Sequence, residues 1–262
     1  MFEKPEVPGG QAGPLIRAES LAGGLPGLLH GFTGEIPGRD LPALAGEVRR
    51  LASLAGGRAA PPPVLLAQTH SAGIFALASG AAASPAQPVP GVDGALGSAV
   101  APGLIAVRAA DCVPVLAVDG EVGAFAALHA GWRGIAAGIF PALLEALRGM
   151  GSGLGRLRVA FGPGIRVCCY EVGPECIAQF PAEQVESAVF TVNGATHLDL
   201  VAVLTRQAEL QGVSTHQIEL LPYCTSCYRS ADGGHPFASY RRSRREGTSM
   251  ASRNAAFIGI VP

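Results

Sequence analysis

The chain has 262 residues, 48% of them hydrophobic and 15% charged, so it is long and apolar enough to bury one large core. Its formal net charge of −1 gives no electrostatic reason to expect nucleic acid or an anionic membrane as a partner. Lys4 is the only lysine, which excludes a lysine Schiff base and a Walker-type phosphate loop. No run of about 18 apolar residues occurs, and Met1–Gly10 lacks the apolar core of a signal peptide. We therefore expect no membrane span and a cytoplasmic location.

The first predicted elements follow a loose, Pro-rich tail over residues 1–14. Two short apolar runs, Val64–Ala67 and Ile74–Leu77, flank a turn and predict a pair of strands. Leu104–Val107 is a further run of strand length.

A hairpin is predicted next, because the runs Val113–Val118 and Val122–Leu128 are separated by Asp119-Gly120, a strong turn signal. His129 follows the second strand of this hairpin, and Cys112 precedes the first. We therefore expect the two side chains near the same edge of a sheet.

The remaining apolar patterns predict an alternation of helices and strands. They indicate helices over Ile135–Arg148 and Leu198–Gln211 and strands over Leu157–Phe161 and Phe257–Val261. Many strands with a few long helices favour the α/β class, as a layered domain with mixed sheets. No repeat and no convincing linker interrupts the pattern, so we predict one domain over residues 15–262.

Three side chains are candidate metal ligands: His70, in a polar turn, with Cys112 and His129. Imidazole nitrogen and thiolate sulfur are good zinc ligands, and a catalytic zinc typically has three protein ligands and one open position. The same atoms suit a second mechanism, in which Cys112 is a nucleophile and His129 its base. Residue types and spacing leave both mechanisms open.

Two arginines are candidate substrate-binding residues. Gly131-Trp-Arg133-Gly134 leads into the predicted helix, whose free N–H groups would attract an anion with help from Arg133. Arg241 lies in the basic cluster Tyr240–Arg245 and is a candidate for gripping a phosphate or carboxylate. The alternative for both is an ordinary solvated arginine.

The other cysteines carry weaker signals. Cys224 and Cys227 form a single CxxC, and without a second pair this is poor evidence for structural zinc. Cys168 and Cys169 are adjacent, which does not suit an ordinary disulfide.

Taken in order, seven motifs resemble the laccase-domain family, once called multicopper polyphenol oxidases. They are Gln68-Thr-His70-Ser, Ala110-Asp-Cys112-Val-Pro, His129-Ala-Gly-Trp-Arg-Gly134, Phe161-Gly-Pro-Gly-Ile165, Tyr170-Glu-Val-Gly173, Cys224-Thr and Phe237-Ala-Ser-Tyr-Arg-Arg242. Members are described as zinc-dependent purine nucleoside phosphorylases that also deaminate adenosine and cleave methylthioadenosine, and some as peptidoglycan editing factors. The resemblance implies that His70, Cys112 and His129 are the zinc ligands. It also implies a fold similar to the catalytic domain of cytotoxic necrotizing factor.

Two departures from the family pattern are expected to affect substrate choice. Gly34 and Glu35 follow the early His-Gly-Phe motif where the family has an arginine, and Arg241–Arg253 is longer and more basic than usual. The laccase chemistry itself is rejected, because a multicopper oxidase binds several coppers mostly through histidine, and this chain has six histidines and no His-x-His pair.

The resulting hypothesis is a purine nucleoside phosphorylase and adenosine deaminase, with one zinc ion as cofactor and phosphate as co-substrate. Its expected partners are small purine nucleosides, with no nucleic acid and no membrane, and the sequence carries no signal for an oligomeric state. One alternative is a Cys–His amidase that edits a peptidoglycan precursor. Another is a non-enzymatic interaction module built around a four-ligand zinc.

Overall fold

The computed structural model describes residues 15–38, 40–77 and 87–261, so the predicted tail over residues 1–14 lies outside the described residues. In chain order the strands are β1 (Leu15–Ile16), β2 (Leu28–Thr33), β3 (Ile36–Pro37), β4 (Pro63–Ala67), β5 (Ile74–Ala76), β6 (Val89–Pro90), β7 (Gly94–Ser98), β8 (Gly103–Ala109), β9 (Val113–Asp119), β10 (Ala124–Ala130), β11 (Arg158–Phe161), β12 (Val189–Val192), β13 (Ala195–Leu198), β14 (Ile218–Leu220) and β15 (Ser252–Ile260). The helices are α1 (Leu41–Gly56), α2 (Trp132–Ala136), α3 (Ile139–Gly149), α4 (Pro174–Ile177), α5 (Ala182–Val185), α6 (Leu200–Leu210) and α7 (Tyr240–Arg245). No helix of the described segments is long and apolar enough to cross a membrane.

Most strands belong to two mixed sheets. The first sheet has the order β1-β2-β15-β8-β4-β6, with β3 also paired to β15, and the second has the order β14-β11-β9-β10-β7-β5. Antiparallel pairs such as β15 with β8 occur beside parallel pairs such as β4 with β8. The predicted α/β class with mixed sheets is confirmed.

The two sheets pack face to face because alternate residues of each strand point to opposite sides. Ile105 and Val107 of β8 pack in one buried cluster with Leu116 of β9 and Phe125 of β10. Their neighbour Leu104 points the other way, into a separate cluster beneath α1. The first sheet therefore lies between α1 and the second sheet.

Helices α3 and α6 cover the outer face of the second sheet. Leu143 and Leu147 of α3 recur at helical spacing and are fully buried, in one cluster with Val115 of β9 and Leu204 of α6. Each such leucine contributes about 1.5–3 kcal/mol by leaving water. The result is four layers, in the order helix, sheet, sheet, helix.

The predicted hairpin is confirmed, as β9 and β10 pair antiparallel with His129 opposite Pro114. The connection runs from Gly120 to Gly123 and is longer than the two-residue turn suggested by Asp119-Gly120. Because Cys112 directly precedes β9, it lies at the same edge of the sheet as His129.

The single helix predicted over Ile135–Arg148 is wrong in one respect. The helix begins earlier, at Trp132, and is interrupted so that α2 and α3 are separate. Gly138 has a φ of 83°, a left-handed conformation that glycine adopts without strain and that ends α2. Apolar periodicity continues across the break, which is why the sequence pattern did not reveal it.

The predicted pairing of Val64–Ala67 with Ile74–Leu77 is also wrong. Strand β4 pairs with β6 and β8 in the first sheet, whereas β5 pairs with β7 in the second. The segment between them, Gln68–Gly73, therefore crosses from one sheet to the other. This crossing segment carries His70.

Candidate active site

Three side chains from separate parts of the chain meet at one edge of the second sheet, where β9 begins and β10 ends. His70 comes from the crossing segment, Cys112 directly precedes β9, and His129 lies near the end of β10. One ligating atom of each lies within 4.8 Å of the others. The His70 Nε2 atom is 3.7 Å from the Cys112 sulfur. The structure thus brings together all three predicted ligands.

Asp93, which precedes β7, contacts the His129 side chain and the His70 backbone, and the sequence analysis did not assign it a role. Its carboxylate accepts a hydrogen bond of 2.8 Å from His129 Nδ1, which leaves Nε2 of that ring for another partner. It also accepts backbone N–H groups of the crossing segment at Thr69, His70 and Ser71. Because these N–H groups donate to Asp93 and not to a neighbouring strand, the segment can leave the first sheet and enter the second. The signal in the sequence is an acidic residue in Gly91-Val-Asp93-Gly94.

The backbone around the three candidate ligands is close-packed and partly strained. His70 has a φ of 61° and Asp111 a φ of 90°, both left-handed values that are uncommon for residues other than glycine. A Cβ atom on Gly131 would lie 2.7 Å from His70 Cδ2 and 2.9 Å from the Cys112 sulfur. Strained backbone clusters at functional sites, and a glycine is required where Gly131 approaches the pair.

The electrostatics of the group favour a thiolate beside an imidazolium in the absence of a metal. Burial opposes a charged sulfur, but the charge of His129 and hydrogen bonds from both histidines lower the pKa of Cys112 to about 6. Burial likewise acts against a charged His129, while Cys112 and Asp93 raise its pKa to about 9. Hydrogen bonds from His129, Ser71 and Thr69 overcome burial and hold the pKa of Asp93 well below its usual range. A thiolate is the form of cysteine that binds metals and attacks substrates.

The three side chains form part of the wall of a cavity of about 470 Å³, a volume within the range of small-molecule sites. Aromatic rings of Trp132, Tyr170 and Tyr240 also line it. Tyr240 is 57% exposed, so this ring lies at the open side of the cavity. The cavity has room for a flat heterocycle next to the candidate ligands.

Both predicted arginines line the cavity, and two further arginines join them. Arg133 stacks on the Trp132 ring, 4.3 Å from its centroid, and Arg241 lies 5.3 Å from the Tyr170 ring. Arg108 and Arg253 line the same cavity. Burial and the charge of Arg253 lower the pKa of Arg108. Several cationic side chains in the wall of one cavity favour binding of an anion there.

The predicted anion site, formed by free N–H groups at the start of a long helix, is not present in that form. Helix α2 is one short turn of five residues that begins at Trp132, and Gly131 is its N-cap. A single turn has little macrodipole, because the effect comes from many aligned peptide units. Guanidinium groups, not the helix start, therefore provide the positive charge of this cavity.

Asp111, next to Cys112, connects the site to a distant loop. Its carboxylate accepts 2.7 Å and 2.6 Å hydrogen bonds from the Thr225 hydroxyl and the Arg241 backbone N–H. Its carbonyl accepts the N–H of Ile165 at 2.7 Å. Asp111 is therefore a structural bridge that holds the start of α7 against the end of β8.

The donor set fits a zinc ion with an open position. Two imidazole nitrogens and one thiolate are preferred zinc ligands, and within the described residues only these three potential ligands gather at this point. A carboxylate that orients a ligating histidine through its other nitrogen is a common feature of zinc sites, and Asp93 has this position at His129. All three side chains line the cavity, so a ligand from solution can reach them.

Comparison with known proteins gives relatives with named activities. The chain is 35% identical over 157 residues to a purine nucleoside phosphorylase of Deinococcus radiodurans, covering 60% of this chain and 57% of that protein. It is 34% identical over 133 residues to adenosine deaminase RL5 of an unknown prokaryotic organism, covering 47% of this chain and 49% of that protein. The chain thus matches less than two thirds of the length of either relative.

Likeness to a solved structure extends over nearly the whole chain. The crystal structure of YlmD from Geobacillus stearothermophilus matches with a TM-score of 0.78 and 28% identity, covering 98% of this chain and 99% of that one. The sequence model of the family described as multi-copper polyphenol oxidoreductase laccase matches residues 38–260. Since that match includes most of the chain, the protein belongs to the multi-copper polyphenol oxidoreductase laccase family.

Proposed function

We propose that the protein is a zinc-dependent purine nucleoside phosphorylase that also deaminates adenosine and cleaves methylthioadenosine. The observation that carries this proposal is the group His70, Cys112 and His129, with ligating atoms within 4.8 Å of one another in the wall of an arginine-rich cavity. The names of the relatives, purine nucleoside phosphorylase and adenosine deaminase, support the choice of substrate class.

The proposed zinc ligands are His70, Cys112 and His129. A zinc ion held there would supply Lewis-acid activation of water for attack on C6 of adenine. Asp93 keeps a proton on His129 Nδ1 and so directs Nε2 toward the site. Cys112, with its lowered pKa, is available as a thiolate at neutral pH.

The cavity walls supply recognition of phosphate and purine. In phosphorolysis, phosphate displaces the purine at the sugar C1′, so the site must hold an anion beside the sugar. Arg133 and Arg241 are the proposed substrate-binding residues, with Arg108 and Arg253 lining the same cavity. The exposed ring of Tyr240 is suited to stacking on a purine at the cavity mouth.

The proposal is tested by incubating the purified full chain with adenosine, with and without phosphate, and separating the products. We expect adenine and ribose 1-phosphate only when phosphate is present, and inosine in both reactions. Methylthioadenosine should release adenine in the same phosphate-dependent way. Metal analysis should find zinc, and a strong chelator should abolish all three reactions. Activity that survives complete removal of zinc would contradict the metal-dependent mechanism.

A second candidate, a Cys–His amidase acting on a peptidoglycan precursor, is favoured by one specific observation. The Asp93 carboxylate, the His129 ring and the Cys112 sulfur follow one another as acid, base and nucleophile do in cysteine hydrolases. This mechanism predicts that alkylation of Cys112 abolishes activity in protein freed of zinc beforehand. It also predicts no effect of phosphate, which separates it from the phosphorylase.

A further inference from the structure

A second group of potential ligands consists entirely of cysteine. The sulfur atoms of Cys168, Cys169, Cys224 and Cys227 all lie within 4.8 Å of one another, and those of Cys168 and Cys227 are 3.6 Å apart. Four thiolates around one zinc, each about 2.3 Å from the ion, are about 3.8 Å from one another. A disulfide, with sulfur atoms about 2.05 Å apart, is much shorter. These four sulfurs are called the cysteine cluster below.

Two turns, separated by more than fifty residues, bring the cysteine cluster together. In the first, the N–H groups of Cys169 and Tyr170 both donate to the carbonyl of Arg166, which curls the chain so that adjacent cysteines face the same point. In the second, the N–H of Tyr228 donates to the carbonyl of Cys224. A parallel bridge between Gly164 and Cys224 holds the two turns side by side. The single CxxC thus has its second pair in Cys168-Cys169, which the sequence analysis discounted.

Cys224 is the buried member of the cysteine cluster, and backbone N–H groups act on its sulfur. Burial opposes a charged sulfur at this position, but the backbone N–H groups of Arg166, Cys227 and Ser226 lower the pKa of Cys224. A neutral thiol is a weak acceptor and gains little from several donors, whereas a thiolate is stabilised by each.

An arginine adjoins each of the two turns, the half-buried Arg166 at the first and the buried Arg242 at the second. The Arg166 guanidinium donates through Nη2 to the carbonyls of Gly162 and Leu221, and its buried Nη1 has no hydrogen-bond partner among the described residues. Burial lowers the pKa of Arg166, and the nearby Asp199, Cys224 and Cys168 oppose that shift. On the other turn, the buried Arg242 donates to the carbonyl of Thr225 at 2.7 Å. Four thiolates and one divalent cation carry a net charge of two negative units, which two arginines would balance.

We propose that the cysteine cluster binds a zinc ion through all four thiolates. Four protein ligands complete the tetrahedron and leave no position for water or substrate, so this ion is structural. Soft thiolates select zinc over the hard cations calcium and magnesium. Cys168 and Cys227 are exposed, which gives the ion a route in from solvent.

The site would hold the two turns that support the candidate active site. Thr225, between two ligands of the cysteine cluster, donates its hydroxyl to Asp111. Tyr170, which follows Cys169, lines the cavity beside Arg241. The proposed ion therefore fixes the wall of the cavity without contacting a substrate.

The test is zinc content of the full chain after dialysis against zinc-containing buffer and removal of excess metal. Cys227→Ser should hold one zinc fewer per chain than the unchanged protein, whether or not His70, Cys112 and His129 bind a second ion. Cys176→Ala is the control, since Cys176 is buried in α4 and is not part of the cluster; it should lose none. Equal zinc contents for Cys227→Ser and the unchanged protein would overturn the proposal.

A second measurement needs no variant and so does not depend on how a variant folds. Iodoacetamide should leave Cys168 and Cys227 unmodified in the zinc-loaded protein, although both are exposed, and should modify both after a chelator is added. Peptide mass mapping identifies the modified residues. Rapid modification in the presence of zinc, or a disulfide between cysteines of the cluster in the zinc-loaded protein, would overturn the proposal.

Discussion

The candidate active site and the cysteine cluster share cysteine as a ligand type, but they suit different roles. The first offers two imidazoles and one sulfur in a cavity wall, whereas the second offers four sulfurs from two tight turns. Three ligands leave a coordination position for chemistry, and four close the shell. Both sites would bind the same metal. What separates a catalytic role from a structural one is therefore the number of protein ligands and the space beside them.

The two regions also differ in how charge is balanced. At the candidate active site, one carboxylate, Asp93, faces His129, and the arginines line the cavity in which an anionic substrate would bind. At the cysteine cluster, the half-buried Arg166 and the buried Arg242 adjoin the turns that carry the ligands. The arginines of the cavity are therefore available to an anionic ligand from solution. Those beside the cysteine cluster would balance the charge of the proposed metal site.

The largest expected effect is that of Cys112→Ser. This change removes the thiolate from the three-ligand group, and we expect kcat/KM for adenosine to fall by about a thousandfold, because metal-ion catalysis supplies several kcal/mol. One zinc per chain should be lost while the cysteine cluster keeps its own. Cys176→Ala is the control and should keep its activity. Full activity of Cys112→Ser, measured by product separation, would remove Cys112 from the mechanism.

A smaller effect is expected for Asp93→Asn, which keeps the shape of the side chain and removes its charge. Loss of such a support for a ligating histidine typically weakens metal affinity by roughly 10- to 100-fold. Competition with a chelator of known affinity measures this change. Asp119→Asn is the matched control. Asp119 is as buried as Asp93 and accepts a hydrogen bond from Ser152, but it lies at the end of β9 that is remote from Cys112. Equal zinc affinities for the two variants would show that Asp93 does not support the metal.

Arg241→Ala should act mainly on phosphate. One charge-assisted hydrogen bond is worth at least about 1.5 kcal/mol, or about tenfold in affinity, and the other arginines of the cavity keep the loss from being larger. We expect the KM for phosphate to rise by about that factor, with little change in phosphate-independent deamination. Arg245→Ala, an exposed position on the same helix outside the cavity lining, is the control. Equal losses in both reactions would assign Arg241 to the nucleoside.

The sequence allowed prediction of elements whose signals are local. Alternating apolar residues and Asp119-Gly120 predicted the hairpin, and the hairpin alone predicted that Cys112 lies near His129. Position along a strand is enough to say that two strand ends share an edge. This explains why these two members of the three-ligand group could be expected to meet.

Contacts between turns were not predictable in the same way. Asp93 captures the backbone of the crossing segment, and Cys168-Cys169 meets Cys224 and Cys227, yet neither contact leaves a periodic pattern in the sequence. Both depend on loops from distant parts of the chain whose path is set by packing of the two sheets. The false pairing of Val64–Ala67 with Ile74–Leu77 has the same origin, since nearness in sequence suggested a hairpin where the chain changes sheets.

Cys227→Ser should have the smallest effect on catalysis and a clear effect on stability. An ion present at a thousand times its dissociation constant stabilises the folded state by about 4 kcal/mol, which corresponds to roughly 10 °C in Tm for a chain of this size. We therefore expect thermal unfolding in zinc-containing buffer to occur roughly 10 °C lower in Cys227→Ser, with Cys176→Ala as the control. The same comparison in Cys112→Ser background isolates the cysteine cluster, because the three-ligand group is then already disrupted. If the difference in Tm persists unchanged after chelation of all zinc, Cys227 stabilises the turn by packing alone, and the contrast between an open and a closed metal site does not hold.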